Sequence, residues 1–247
     1  MQRLKKVAKG LGILLGLLVP LAVIAGVAMH ESRPSGEPGE GADALAREVQ
    51  DAVGQAAWDD ARYVAFDFAG RMRHRWDRER GLAYVTWGDL PAAGPGENEA
   101  WLRLGDRSGV VHVAGQRVRG EEADELLATA WGRHINDTFW LFPFRTFFDE
   151  GVTRSLVGDD LLIEYASGGA TPGDAYLWHL GNDGRPTGWE MWVSIIPIGG
   201  VDASWTDWEE RAGVHFATRH SLGPMTLELT DITVGELPAP DPFAPLF

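Results

Sequence analysis

The chain of 247 residues contains no cysteine, which removes disulfides, thiol nucleophiles, cysteine-based zinc sites and an acylated N-terminal Cys. Its net charge of −14 is unevenly spread: Arg3, Lys5, Lys6 and Lys9 open the chain, and from residue 31 onward 18 Arg face 36 Asp and Glu with no Lys at all. So acidic a body repels phosphate backbones and excludes nucleic-acid binding, while the missing Lys excludes a P-loop, a Schiff base and a Ser-x-x-Lys acyl enzyme.

The basic residues precede an uncharged apolar run from Gly10 to Met29. That order leaves the N-terminus in the cytoplasm and carries the rest of the chain across the bacterial inner membrane. The run approaches the roughly 20 residues that span a bilayer and exceeds a signal core of about 7–15, and no clean Ala-x-Ala closes it. Residues 1–30 are therefore read as a membrane anchor or signal segment, retention being favoured. The remainder is expected to be periplasmic or extracytoplasmic and tethered to the inner membrane.

Residues 31–41 (ESRPSGEPGEG) read as a flexible polar linker. From Ala42 to about Trp58, Leu45, Val49, Val53 and Ala56–Ala57 recur at helical spacing. Short strands come next: Val64, Phe66 and Phe68 share one face, Met72, His74 and Trp76 the next, then Ala83–Trp87, Trp101–Leu104 and Val110–Val113. Around Glu121 the pattern turns helical again and runs into HINDTFWLFPFRTFFDEG, residues 134–151. Strands resume with 161–165, 175–180, 189–196, 204–208, 214–220 and 225–234, and LGNDGRPTG is a hairpin signal. The tail 237–247 is Pro-rich and expected to be irregular.

These elements define one α+β domain over 42–236, with about ten or eleven antiparallel strands. Strands 175–180 and 189–196 carry large apolar side chains on both faces, which suits a strongly curved sheet packed on helices, or a barrel holding something apolar. A membrane barrel ending at Phe247 is excluded by Pro238, Pro240, Pro242 and Pro245.

The aromatic block places Phe139, Trp140, Phe142, Phe144, Phe147 and Phe148 within ten positions, including half of all Phe in the chain. It is too short to span a membrane and is broken by Pro143, so it either plugs a core or lines an apolar pocket. Asn136–Asp137 ahead of it reads as a helix N-cap, and Asp137 or Asp149 as an ion-pair partner for an Arg of the 71–80 hairpin. TPGD (171–174) reads as a turn, with Gly173 at positive φ. The eleven Trp are mostly expected in core packing. His134 with Asp137, His74 with Asp77 and His215 with His220 make no zinc-binding motif, so no metal is expected. No Gly-x-Ser-x-Gly elbow occurs. The surviving enzyme reading is a carboxylate-pair hydrolase drawing on Asp207, Glu209 or Asp149.

Taken in order, Trp58, YVAFDF (63–68), RHRWDRERG (73–81), INDTFWLFPF (135–144), Asp149, Gly151, TPGDAY (171–176) and SWTDW (204–208) resemble a family of exported bacterial proteins of unassigned function. Domains of that family look like the half-barrel of the outer-membrane lipoprotein carriers and receptors. The resemblance implies a curved antiparallel sheet whose concave face is covered by helices over an apolar cavity that takes acyl chains. The chain departs from the receptor type in lacking its N-terminal Cys.

The expected function is thus non-catalytic binding or carriage of an apolar ligand, a lipid or the acyl chain of a lipoprotein, in the cell envelope. Candidate ligand-binding residues are Phe139, Trp140, Phe142, Phe144, Trp178, Trp192, Phe66 and Phe68. No catalytic residue and no cofactor are nominated. The alternatives are the acidic-pair hydrolase in the same cavity and a structural envelope domain with no ligand.

Overall fold

The computed structural model describes residues 30–89, 91, 94–166 and 172–247, so the predicted membrane segment 1–29 and Thr171 of the TPGD turn lie outside the described residues. The described chain begins with β1 (Glu37–Pro38), α1 (Glu40–Val53), α2 (Gln55–Asp60), β2 (Tyr63–Phe68), β3 (Met72–Asp77) and β4 (Leu82–Trp87). Next come β5 (Asn98–Arg103), β6 (Gly109–Val113), β7 (Gln116–Val118) and the long helix α3 (Glu121–Leu141). After it lie β8 (Val152–Val157), β9 (Asp160–Tyr165), β10 (Ala175–Leu180), β11 (Pro186–Trp192) and β12 (Val201–Ser204). The last strands are β13 (Thr206–Arg211), β14 (Val214–Leu222) and β15 (Met225–Gly235).

The strands form two antiparallel sheets, one of six in the order β1-β8-β9-β10-β11-β12 and one of nine in the order β13-β14-β15-β2-β3-β4-β5-β6-β7. Neither sheet closes on itself, and the class is α+β, rich in β. Among the described residues there are fifteen strands rather than ten or eleven. The surplus has local causes. β1 and β7 are only two and three residues long, and β8 (VTRSLV) hides its pattern behind a polar centre. The stretch 204–208 is split at Trp205 into strands of different sheets. The expected linker also carries structure: Glu37 and Pro38 pair with Leu156 and Ser155, and the Glu31 N–H donates to the Gly199 carbonyl at 3.0 Å.

Helix α1 buries Ala42, Ala46, Val49 and Val53 as a single stripe and opens with Glu40 and Asp43, charges that suit the positive end of the helix dipole. It stops at Gly54, whose φ of 81° is left-handed and whose hydrogen lies where a Cβ would stand 2.1 Å from the Gly213 carbonyl oxygen, so glycine is required there. The stripe packs against β8, β9 and β14, while α3 packs against β4, β5, β6 and β14. Helix α3 ends because Pro143 pushes Phe142 to an extended conformation, φ −155°. None of the described helices is long and apolar enough to cross a membrane.

β4 is buried at all six positions, and each of its faces has a separate cover. Ala83, Val85 and Trp87 face the main core, whereas Leu82 and Tyr84 pack with Trp101 against Phe243 and Leu246 of the C-terminal tail. The tail is held by the Arg80–Asp241 ion pair and by the Trp101 indole N–H, which donates to the Pro242 carbonyl at 3.0 Å. In the six-stranded sheet, Tyr176 and Trp178 of β10 face the core, while Ala175 and Leu177 join Leu162 on the opposite face. Two-faced apolarity therefore arises from a core on one side and a smaller cover on the other.

Candidate functional site

The end of α3 and the turn after it deliver aromatic rings from one side, and the inner faces of β10 and β11 deliver them from the other. Phe139 lies 5.0 Å from Tyr176 and 5.9 Å from Trp189, and Trp140 lies 4.7 Å from Trp189, measured between ring centroids. After Pro143 the chain turns, and Phe144 reaches Trp178 at 5.3 Å and Trp205 at 5.6 Å. Trp178, Trp189 and Trp205 touch one another at 4.7–5.0 Å. Trp205 is the residue at which the chain leaves the six-stranded sheet for the nine-stranded one. Its backbone N–H donates to the Thr187 carbonyl at 2.8 Å, and its ring rests 4.4 Å from His220 of β14.

The cluster has a sealed part and a reachable part. Phe142, Phe144 and Phe147 have no exposed surface, whereas Phe139 and Trp140 are half-buried. Inside, the indole N–H groups of Trp178, Trp189 and Trp205 and the Nε2 of His220 are buried with no hydrogen-bond partner. The other ring nitrogen of His220 lies 3.2 Å from the Ser204 carbonyl oxygen. Nδ1 must carry the hydrogen there, which leaves Nε2 as a bare acceptor in the neutral ring. Burial lowers the His220 pKa to about 4, partly opposed by its backbone hydrogen bonds, so the ring is neutral at pH 7.

The other nominated residues fall elsewhere. Phe66 and Phe68 lie on the inner face of the nine-stranded sheet, with Phe66 stacked on His74 at 4.7 Å. Trp192 sits on the outer face of the six-stranded sheet beside Leu162, Ala175 and Leu177, and its indole N–H donates to the Glu31 carbonyl at 2.8 Å. Phe139, Trp140, Phe142, Phe144 and Trp178 are thus brought together, and Trp192 is apart from them. Trp189, Trp205 and His220 join the cluster without having been nominated. Each is one residue on a separate stretch of chain, and only the pairing of strands reveals their meeting.

Asn136 and Asp137 do not cap a helix. α3 starts at Glu121 after Gly120, and its buried stripe Ala123, Leu127, Ala130, His134 and Leu141 runs straight past them. Asp137 does tie α3 to the 71–80 hairpin, but to His74 instead of an Arg: His74 Nε2 lies 2.7 Å from Asp137 Oδ2, and both side chains are buried. His134 stands beside them, 5.9 Å from the His74 ring centroid. Its pKa is held far below the usual value by burial and, in smaller part, by its neighbours His74 and Arg145. Asp77 pairs instead with Arg80 and Arg62.

Of the hydrolase candidates, Asp207 and Glu209 line an open groove of about 650 Å³ on the β13–β14–β15 end, among Arg211, Arg219, Glu228 and Asp231. Asp149 does not line that groove. It comes after the turn that ends α3, where burial raises its pKa and Arg145 lowers it in part. The acids of the enzyme reading do not form a single site.

No family model matches the chain, and no curated protein matches it. Among solved structures it is similar to the crystal structure of a DUF1329 family protein from Desulfovibrio piger ATCC 29098, at 10% identity and a TM-score of 0.41. The alignment covers 80% of this chain and 93% of that one, and a likeness so slight bears on neither fold nor function.

This geometry is open to two stability measurements. Asp137→Ala strips buried His74 of its partner and should cost about 2–4 kcal/mol in urea unfolding. A change below about 0.5 kcal/mol would show that the pair does not hold α3 to β3. Because His220 binds a proton more readily when unfolded, its stabilisation is present above pH 6.5 and is lost as pH falls toward 4, by up to about 3 kcal/mol. The unfolding free energy should fall more steeply from pH 7 to pH 5 in the wild-type chain than in His220→Gln, and equal slopes would contradict the burial argument.

Proposed function

We propose that this chain is a non-catalytic binding domain of the bacterial cell envelope that holds or carries an apolar ligand, a lipid or the acyl chain of a lipoprotein. In this reading the two sheets curve as an open half-barrel, α1 and α3 cover its concave face, and the N-terminal segment tethers it to the inner membrane. The ligand enters past Phe139 and Trp140 and lies against Trp178, Trp189 and Trp205, with Phe142 and Phe144 as the back wall.

The observation that carries the reading is the set of unpartnered polar ring atoms inside the aromatic cluster. A buried donor left without an acceptor costs about 1–3 kcal/mol, and three indoles share that predicament. A ligand head with both a carbonyl and a hydroxyl oxygen would answer it: the carbonyl accepts from the indoles, and the hydroxyl donates to His220 Nε2. A fatty acid in its protonated form and a partial glyceride have such heads. Burial of the chain itself contributes about 0.8 kcal/mol per CH₂, so an aromatic wall with few polar groups suffices for binding. The partial exposure of Phe139 and Trp140 supports a route in from solvent.

Residues 31–247 purified without detergent and weighed by native mass spectrometry test this. A stoichiometric lipid should co-purify, and Phe139→Asp or Trp140→Asp should lose it while keeping the wild-type circular dichroism. An apo mass in the wild type, together with no uptake of added fatty acid or phospholipid, would leave the cluster as core alone.

A further inference from the structure

On the outer face of the six-stranded sheet, away from the aromatic cluster, four neighbouring strands bring three carboxylates around one imidazole. His179 of β10 is held at Nδ1 by Asp160 of β9, 2.9 Å away, and its Nε2 points toward Glu190 of β11 at 3.4 Å. Asp202 of β12 is the direct cross-strand partner of Glu190. One ligand atom each from His179, Glu190 and Asp202 falls within 4.8 Å of the others.

We propose that His179 Nε2, Glu190 and Asp202 form a binding site for a divalent transition-metal ion, with Asp160 orienting the imidazole. The ring's orientation argues for it first. Asp160 accepts the hydrogen on Nδ1 and fixes the imidazole with Nε2 toward the Glu190 carboxylate. The 3.4 Å between them matches the roughly 3.4 Å that separates two ligands each 2.0–2.1 Å from a tetrahedral ion.

The charge balance argues for it independently. Glu190 and Asp202 are like charges directly opposite in an antiparallel pair, an arrangement that destabilises a sheet. The charges bearing on Glu190 are His179, Asp202 and Glu31, only the first of them basic. Among the described residues no Arg lies within ion-pair distance of Asp160, Glu190 or Asp202, and the chain has no Lys after Lys9 to supply one. A divalent ion would cancel the excess and clamp β10, β11 and β12 together. One imidazole and two carboxylates suit Zn²⁺ or Mn²⁺ better than Ca²⁺, which takes an all-oxygen shell. The hydrogen bond from Nδ1 to Asp160 is the outer-shell contact that metal-binding histidines usually make.

The test is titration of the full-length chain, chelator-treated in detergent, with ZnCl₂ and separately with MnCl₂ by calorimetry and thermal melting. One ion per chain is expected, with a melting temperature that rises on addition. Asp202→Asn and His179→Ala should abolish saturable binding, Asp160→Asn should weaken it about 10- to 100-fold, and His215→Ala on the other sheet should leave it unchanged. Absence of saturable binding, or binding that survives both Asp202→Asn and His179→Ala, overturns the site. Because Asp202 is exposed on the last strand of its sheet, its Asn variant keeps the test decisive if His179→Ala folds poorly.

Discussion

Two sheets that share no ladder hydrogen bonds among the described residues must be held together by the side chains between them, and here those are aromatic. Each ring of this size buries roughly 150–250 Å², worth about 4–6 kcal/mol at 25 cal/mol per Å². Trp205 is the hub of the join. It stands at the crossing between sheets, takes Trp178 and Trp189 on one side and His220 on the other, and fixes β12 against β14 through its neighbour Ser204, whose Oγ accepts the Ser221 N–H at 2.9 Å. The aromatic block after α3 packs into this join, which explains why so apolar a segment can sit at a chain turn.

That arrangement blurs the boundary between core and site. Phe142, Phe144 and Phe147 behave as core, while Phe139 and Trp140 are partly exposed with unpartnered polar atoms close behind them. A domain that only needed to fold would gain by replacing those indoles with Phe or Leu, because a buried N–H without an acceptor works against stability. Three such indoles meet in this cluster, and they are the groups that the proposed ligand would satisfy. The outer face of the six-stranded sheet obeys a different logic, with charge concentrated where apolar cover gives out beyond Leu177 and Trp192.

Much of the architecture was legible because period-two and helical spacing report burial directly. Val64, Phe66 and Phe68 located β2 and Met72, His74 and Trp76 located β3 to within a residue, the stripe Leu45, Val49 and Val53 located the first helix, and the Gly184 turn was visible in LGNDGRPTG. The features that escaped detection depended on contacts across the chain. β8 looks polar because Arg154 reaches away to pair with Asp43 of α1. Asn136–Asp137 looks like a cap because the local chemistry is that of one, whereas a stripe begun at Ala123 carries the helix through. The membership of Trp189, Trp205 and His220 in the cluster, and of His179, Glu190 and Asp202 in theirs, is set by strand register. No spacing within the chain encodes either group.

The indole N–H resonances of ¹⁵N-tryptophan-labelled protein, assigned with single Trp→Phe variants, test the central claim most directly. On addition of a long-chain fatty acid, the signals of Trp178, Trp189 and Trp205 should move downfield together as they gain an acceptor, while that of Trp101, already bonded to Pro242, stays in place. If those three signals hold still, or only the outer-face Trp192 responds, the aromatic cluster joins the sheets and does nothing more.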